Sequence, residues 1–223
     1  MFNSLDASNF DGSVIFYEKQ FESLLQKIIC CYNLMIKSGI SLVNDENKIR
    51  DKILIDYLKN NDIRNSIGLT DWHFEREVQE DLTLGRTDIK IISPNTFQIQ
   101  EAYYILECKR IDNKNIKGSS GLNGEYIKAG IKRFTSNFYS SYYRVNCMIG
   151  FVVEKQDIDS NIVEINNLLL NHFSKSIVTH KELIKKSIHS DFKYSYKSKH
   201  SDSNHEKLNI YHLMFNFSNN IAA

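Results

Sequence analysis

The sequence predicts an α/β fold, a mixed central sheet flanked by helices, built as one domain over residues 1–223. Three observations predict it. Apolar residues recur at helical spacing across 11–36 and again across 46–58. Three short stretches that read as strands follow. A wholly apolar run at 147–153 then comes after a further helical stretch, as a buried strand would. The order helix, three strands, helix, strand gives an αβββαβ core over about 46–153. An N-terminal helical arm (11–37) precedes it, and a helix and β-hairpin (160–217) follow. No Gly/Ser linker, repeat or break in composition divides the chain.

Each element has its own signal. Phe16, Phe21, Leu24, Leu25, Ile28, Ile29 and Tyr32 form the stripe of the first helix. Asn44 or Asp45 is placed to cap the second, whose stripe is Ile49, Ile53, Leu54, Tyr57 and Leu58. Strands are expected near 72–80, 87–92 and 102–111, the last two joined through Ser93-Pro94-Asn95, a turn signal. The Gly- and Ser-rich loop 118–124 leads into a helix over about 125–137, with Ile127, Ile131, Phe134 and Phe138 on one side. Gly130 inside that helix costs about 1 kcal/mol relative to Ala, which implies close packing against the sheet. A helix over about 160–173 follows the buried strand. In the tail, Phe192, Tyr194, Tyr196, Ser198 and His200 share one strand face; Lys193, Ser195, Lys197 and Lys199 share the other. After the polar 201–206 turn, 208–217 reads as the hairpin partner.

The chemistry concentrates in two strands. Residues 85–89 read Gly-Arg-Thr-Asp-Ile, and 103–111 read Tyr-Tyr-Ile-Leu-Glu-Cys-Lys-Arg-Ile. A strand has a side-chain period of two, so Glu107 and Lys109 share a face while Cys108 takes the other. Antiparallel pairing would bring Asp88 to Glu107 and Lys109. Two carboxylates and an ammonium converging there make a site for a divalent cation and a phosphate. Mg²⁺ prefers hard oxygen ligands, keeps several waters and takes only one or two protein carboxylates, the number that Asp88 and Glu107 supply. A Glu-x-Lys triplet alone is common on solvated strand faces. Here it closes an apolar run, and Asp88 precedes it by 19 positions (107 − 88), after a turn glycine.

This pattern resembles the core motif of the PD-(D/E)xK, or restriction-endonuclease-like, nuclease superfamily, whose αβββαβ core matches the element order. The resemblance implies Asp88, Glu107 and Lys109 as catalytic residues. It implies Mg²⁺, with Mn²⁺ as a substitute, bound by Asp88, Glu107 and the backbone carbonyl of Cys108. Lys109 would orient the attacking water or steady the phosphate. Glu46 reads equally as a further ligand, as in many members, or as a favourable charge at a helix N-terminus. Tyr126, Gly130 and Arg133 lie along one side of the following helix, where some related families place a Gln or Tyr near the site; this chain has no Gln there.

The formal charge is only +1, but it is unevenly placed. Between Lys109 and Arg144 eight basic residues face only Asp112 and Glu125, a local +6, whereas 71–81 is acidic. Phosphate contacts dominate non-specific affinity for nucleic acid, so Arg110, Lys128, Lys132 and Arg133 are expected to meet the backbone of DNA, RNA not being excluded. Tyr139, Tyr142 and Tyr143 could stack on bases, though tyrosines flanking a core strand more often pack. His200 and His212 read as satisfied core or edge histidines; His73, His180 and His205 have no evident partner. The four cysteines lack a disulfide pattern, and neither a secretory signal nor a membrane-spanning segment is evident, which places the chain in the cytoplasm. No serine-hydrolase, P-loop or dinucleotide signature occurs.

The expected function is therefore a metal-dependent DNA endonuclease, which the resemblance associates with bacterial restriction or phage defence and with a partner from such a system. The alternative is a catalytically silent module that binds nucleic acid or a protein. The consecutive Ile28, Ile29, Cys30, Cys31 and Tyr32 make the first helix apolar on more than one side. Two accounts fit: a two-fold homodimer through 11–36, or burial of the helix between the core and the C-terminal hairpin.

Overall fold

The structure is a computed structural model and describes residues 12–79, 85–139 and 142–222. Asp11, Glu80 and Asp81, which belong to the helix, strand and acidic run expected above, lie outside the described residues. One mixed seven-stranded sheet forms the centre, in the order β1-β2-β3-β4-β7-β6-β5. Its strands are β1 (His73–Arg76), β2 (Ile89–Ile92), β3 (Tyr103–Ile111), β4 (Val145–Val152), β5 (Val178–Lys185), β6 (Ser195–Ser201) and β7 (Lys207–Asn216). β3 and β4 are parallel, as are β4 and β7; every other neighbouring pair is antiparallel.

Helices cover both faces. On one side lie α1 (Gly12–Lys37), α2 (Glu46–Ile53) with a π-helical turn at Leu54–Leu58, and α3 (Asn61–Ile67). Leu24, Ile28, Ile49 and Ile53 pack there on Leu106, Cys147 and Leu213. On the other side lie α4 (Leu122–Tyr126), a π-helical turn at Ile127–Ile131, α5 (Lys132–Thr135) and α6 (Ile158–Asn167). Their Ile127, Ile131, Ile158 and Ile162 pack on Ile105, Met148 and Ile210. Each such fully buried aliphatic side chain contributes about 1.5–3 kcal/mol.

Several expectations shift. The first strand stops at Arg76 because Glu77 takes a left-handed φ of 50°. The 208–217 strand does more than close a hairpin: β7 pairs with β4 and carries β6 and β5 into the central sheet. Two elements went unread, α3 and the mostly exposed edge strand β5. Most of helix α1 is covered within its own chain, with Ile28, Ile29, Cys31 and Tyr32 all buried, but Phe16 of the expected stripe is 62% exposed. Gln26 donates to the Ile188 carbonyl, and the Tyr32 hydroxyl to that of Asn216. The account that sandwiches this helix against the C-terminal strands explains these buried residues, while Phe16 and Leu34 stay uncovered. Among the described residues no helix is long and apolar enough to cross a membrane.

Candidate active site

The centre grows from an interrupted ladder. β2 pairs with β3 only until Ile89 meets Leu106, whereas β4 follows β3 as far as Ile111. Beyond Leu106 one edge of β3 is open, and its backbone groups need other partners. Carboxylates supply them. The Cys108 N–H donates to Asp88 Oδ2 at 2.8 Å, and the Arg110 N–H donates to Glu46 Oε2 at 2.9 Å. Glu46 opens α2, whose N-cap Asp45 accepts from the Lys48 N–H at 2.9 Å, so the cap fixes the turn that aims Glu46.

The Lys109 ammonium sits in the midst of these oxygens. It lies 2.7 Å from the Cys108 carbonyl, 2.8 Å from Glu107 Oε1, 3.0 Å from Glu46 Oε1 and 3.8 Å from Asp88 Oδ2. Burial works against its charge, but Glu107, Asp88 and Glu46 outweigh that and hold its pKa above the ordinary lysine value. Glu107 has no exposed surface. Burial, reinforced by Asp88, pushes its pKa up to about 7 against the pull of Lys109 and Arg133. The Arg133 guanidinium donates to Glu107 Oε1 at 2.6 Å, and the Tyr139 hydroxyl lies 2.7 Å from Oε2. That hydroxyl also accepts from Arg133 at 2.9 Å and lies 3.0 Å from the Arg86 carbonyl. On the outer side the buried Arg50 contacts Asp88 Oδ1 at 3.2 Å, Asp51 at 2.9 Å and Glu77 at 3.1 Å.

The structure therefore brings Glu46, Asp88, Glu107, Lys109 and the Cys108 carbonyl together. It adds Arg50 and Tyr139 to the centre. Arg50 stands four residues after Glu46 on α2, hence on the same helix face, and that spacing was the available signal. Tyr139 packs, as does Tyr143, while Tyr142 stays exposed. The residues expected to meet phosphate divide. Lys128 is exposed and only loosely paired, 3.7 Å from Glu125. Lys132 is half-buried. The Arg110 guanidinium is held by the Asn44 carbonyl at 3.0 Å and its side chain at 2.9 Å. Arg133 turns inward to Glu107 rather than outward. Tyr126 leaves the centre altogether and meets His212.

Two grooves, of about 550 Å³ beside Tyr32 and Phe192 and about 520 Å³ beside Lys181 and Lys199, are lined by none of the centre's residues. Among the described residues no three His, Cys, Asp or Glu side chains are arranged to hold a metal by themselves. The donor set still suits a hard divalent cation. Carboxylate and carbonyl oxygens surround one cationic group already, and Mg²⁺ needs only one or two protein carboxylates beside its waters. Neither family models, curated proteins nor solved structures give a match to this chain.

Proposed function

We propose that the protein is a metal-dependent nuclease that hydrolyses phosphodiester bonds of DNA, of the PD-(D/E)xK kind that its motif resembles. One observation carries this reading: oxygens from three separate segments, at Glu46, Asp88 and Glu107–Cys108, lie within 4 Å of a single ammonium. Asp88, Glu107 and the Cys108 carbonyl would hold Mg²⁺ or Mn²⁺, with Glu46 beside them. Such a cation supplies a water of lowered pKa and a Lewis acid for the phosphoryl oxygens. The chain does the rest. Arg50 and the Cys108 N–H fix the Asp88 carboxylate. Lys109, kept protonated by its acidic neighbours, steadies a phosphoryl oxygen or orients the attacking water. Lys128, Lys132 and Arg110 offer charge to the backbone on either side. A setting in restriction or phage defence follows from the resemblance.

The test is cleavage of supercoiled plasmid with Mg²⁺ or Mn²⁺ against the same reaction in chelator. Asp88→Ala, Glu107→Ala and Lys109→Ala should each abolish cutting. Cutting that survives chelation, or survives all three changes, overturns the reading. A second reading has an observation of its own. Asp88 and Glu46 already serve the open amides of β3, and Lys109 and Arg50 balance their charge, so the cluster suffices as structure. Tight DNA binding without cleavage under any divalent cation would favour that binding module.

A further inference from the structure

In this structure Glu107 has no free oxygen. Arg133 at 2.6 Å and Lys109 at 2.8 Å share Oε1, and Tyr139 holds Oε2 at 2.7 Å. The two cations differ in freedom. The Lys109 side chain is 10% exposed and enclosed by acids, whereas that of Arg133 is 33% exposed and has a way out to solvent. The path of the chain also aims Arg133 deliberately. A π-helical turn at Ile127–Ile131 precedes it, inserting an extra residue per turn and rotating everything after it. Within that turn Gly130 lies so close to the sheet that a Cβ would sit 2.1 Å from Met148 Cε and 3.7 Å from Lys109 Cγ. Gly130 and Arg133 thus share the helix side that faces the sheet, and from it Arg133 reaches Glu107.

We propose that Arg133 is a built-in competitor for the cation. Its guanidinium occupies Glu107 Oε1 while no divalent ion is present and yields that oxygen when one binds. Tyr139 keeps the other oxygen and so holds the carboxylate in place through the exchange. This rests on the reading of the centre as a cation site, and it makes Arg133 a positioning residue that sets how much divalent ion the centre needs. Lys109 and Arg133 already crowd one buried oxygen, and a divalent ion would add two more positive charges there, which repel the guanidinium, the cation with the way out to solvent.

Mn²⁺ binding, followed by electron paramagnetic resonance of the free ion, tests it without any appeal to activity. Arg133→Gln keeps a donor to Glu107 but removes the charge, and should bind Mn²⁺ about tenfold more tightly, the scale on which outer partners alter metal affinity. Arg133→Lys, which restores the charge, should return affinity towards that of the unmodified protein. Equal or weaker binding by Arg133→Gln overturns the exchange while leaving the cation site standing. No Mn²⁺ binding by either protein overturns both. A measurement on the unmodified chain covers the case where Arg133→Gln does not fold. The ¹⁵N–¹H signals of the Arg133 guanidinium should be sharp and protected without divalent ion and lose that protection on addition of Mg²⁺. Signals that stay protected when Mg²⁺ saturates the centre overturn the proposal.

Discussion

Asp88 and Cys108 are joined by one hydrogen bond, 2.8 Å from the Cys108 N–H to Asp88 Oδ2, at the place where a longer β2 would have continued the ladder. The carboxylate thus has a structural task beside the proposed ligation, and two substitutions separate them. Asp88→Asn keeps an acceptor and should cost less than about 1 kcal/mol, while Asp88→Ala leaves a buried N–H unmet and should cost about 1–3 kcal/mol. Urea denaturation reads the difference. Both variants should lack cleavage, and an active Asp88→Asn would remove Asp88 from the ligand set.

Glu107 should make the cation-free protein less stable as the pH rises. Its carboxyl titrates near 7 when folded, against an ordinary value of 4.5. Between those values the folded chain holds a proton that the unfolded chain has lost. Stability is therefore fully present below about 4.5 and is lost as the pH climbs through 7, by at most about 3 kcal/mol. Thermal unfolding in chelator from pH 5 to 8 measures it. Glu107→Gln should abolish this alkaline loss; a variant that keeps the same slope contradicts the assignment.

A second pair of groups acts in the opposite sense. Tyr126, His212, Ser198 and His200 form a buried chain, with links of 2.8, 2.8 and 2.7 Å, that ends at Thr179 at 3.2 Å. Burial, with His180 adding to it, lowers His200 to about 3, and burial holds His212 well below its usual 6.5. Both are neutral when folded. Stability from them is present above 6.5 and drains as the pH falls towards 3. His212→Leu should cost about 1–3 kcal/mol, because it strands the buried Tyr126 hydroxyl and leaves Ser198 with His200 alone, and should flatten the acid limb of the same unfolding profile.

Charge reversal at Lys128 and Lys132 should weaken binding to every DNA sequence alike and reduce the salt slope by roughly two. Fluorescence anisotropy over a salt series measures both. A loss confined to one sequence would indicate base readout, and no loss would return these lysines to an ordinary solvated face.

With most of α1 covered by its own chain, sedimentation at micromolar concentration should show a 26.0 kDa species. A single Asp88/Glu107/Lys109 set then meets one strand per visit. Plasmid should accumulate as nicked circles before it becomes linear, and direct linearisation would point to paired copies on the DNA.

Much of this architecture was legible in residue order. The stripes of α1 and α2, the buried β4 and the alternation of Tyr196, Ser198 and His200 against Lys197 and Lys199 follow from period and burial. What stayed hidden was non-local. β5 is polar and exposed, so its pattern is weak, and nothing local shows that β7 will lie beside β4. The juxtaposition of Asp88, Glu107 and Lys109 was readable because adjacent strands carry them. Arg133 read as a phosphate contact from its place in a basic segment, although its spacing from Gly130 already set it on the sheet-facing side of the helix, and its partner Glu107 is distant in sequence. Asn60 and Gly68, which cap α3 at either end, were visible signals around a helix too polar to notice.

The carboxylates along the open edge of β3 also bear on how such a chain can drift. On the proposed nuclease reading, a copy released from selection for cutting would no longer be held to Lys109 or Glu107 by the chemistry. Asp88 and Glu46 would still be held, or replaced by Asn and Gln, because bare amides at Cys108 and Arg110 would leave the central strand ready to pair with a stranger. Descendants that bind without cutting should therefore keep acceptors at 46 and 88 long after 107 and 109 have scattered. On the proposed nuclease reading, the ammonium and the buried acid are the positions whose loss would mark a copy that no longer cuts.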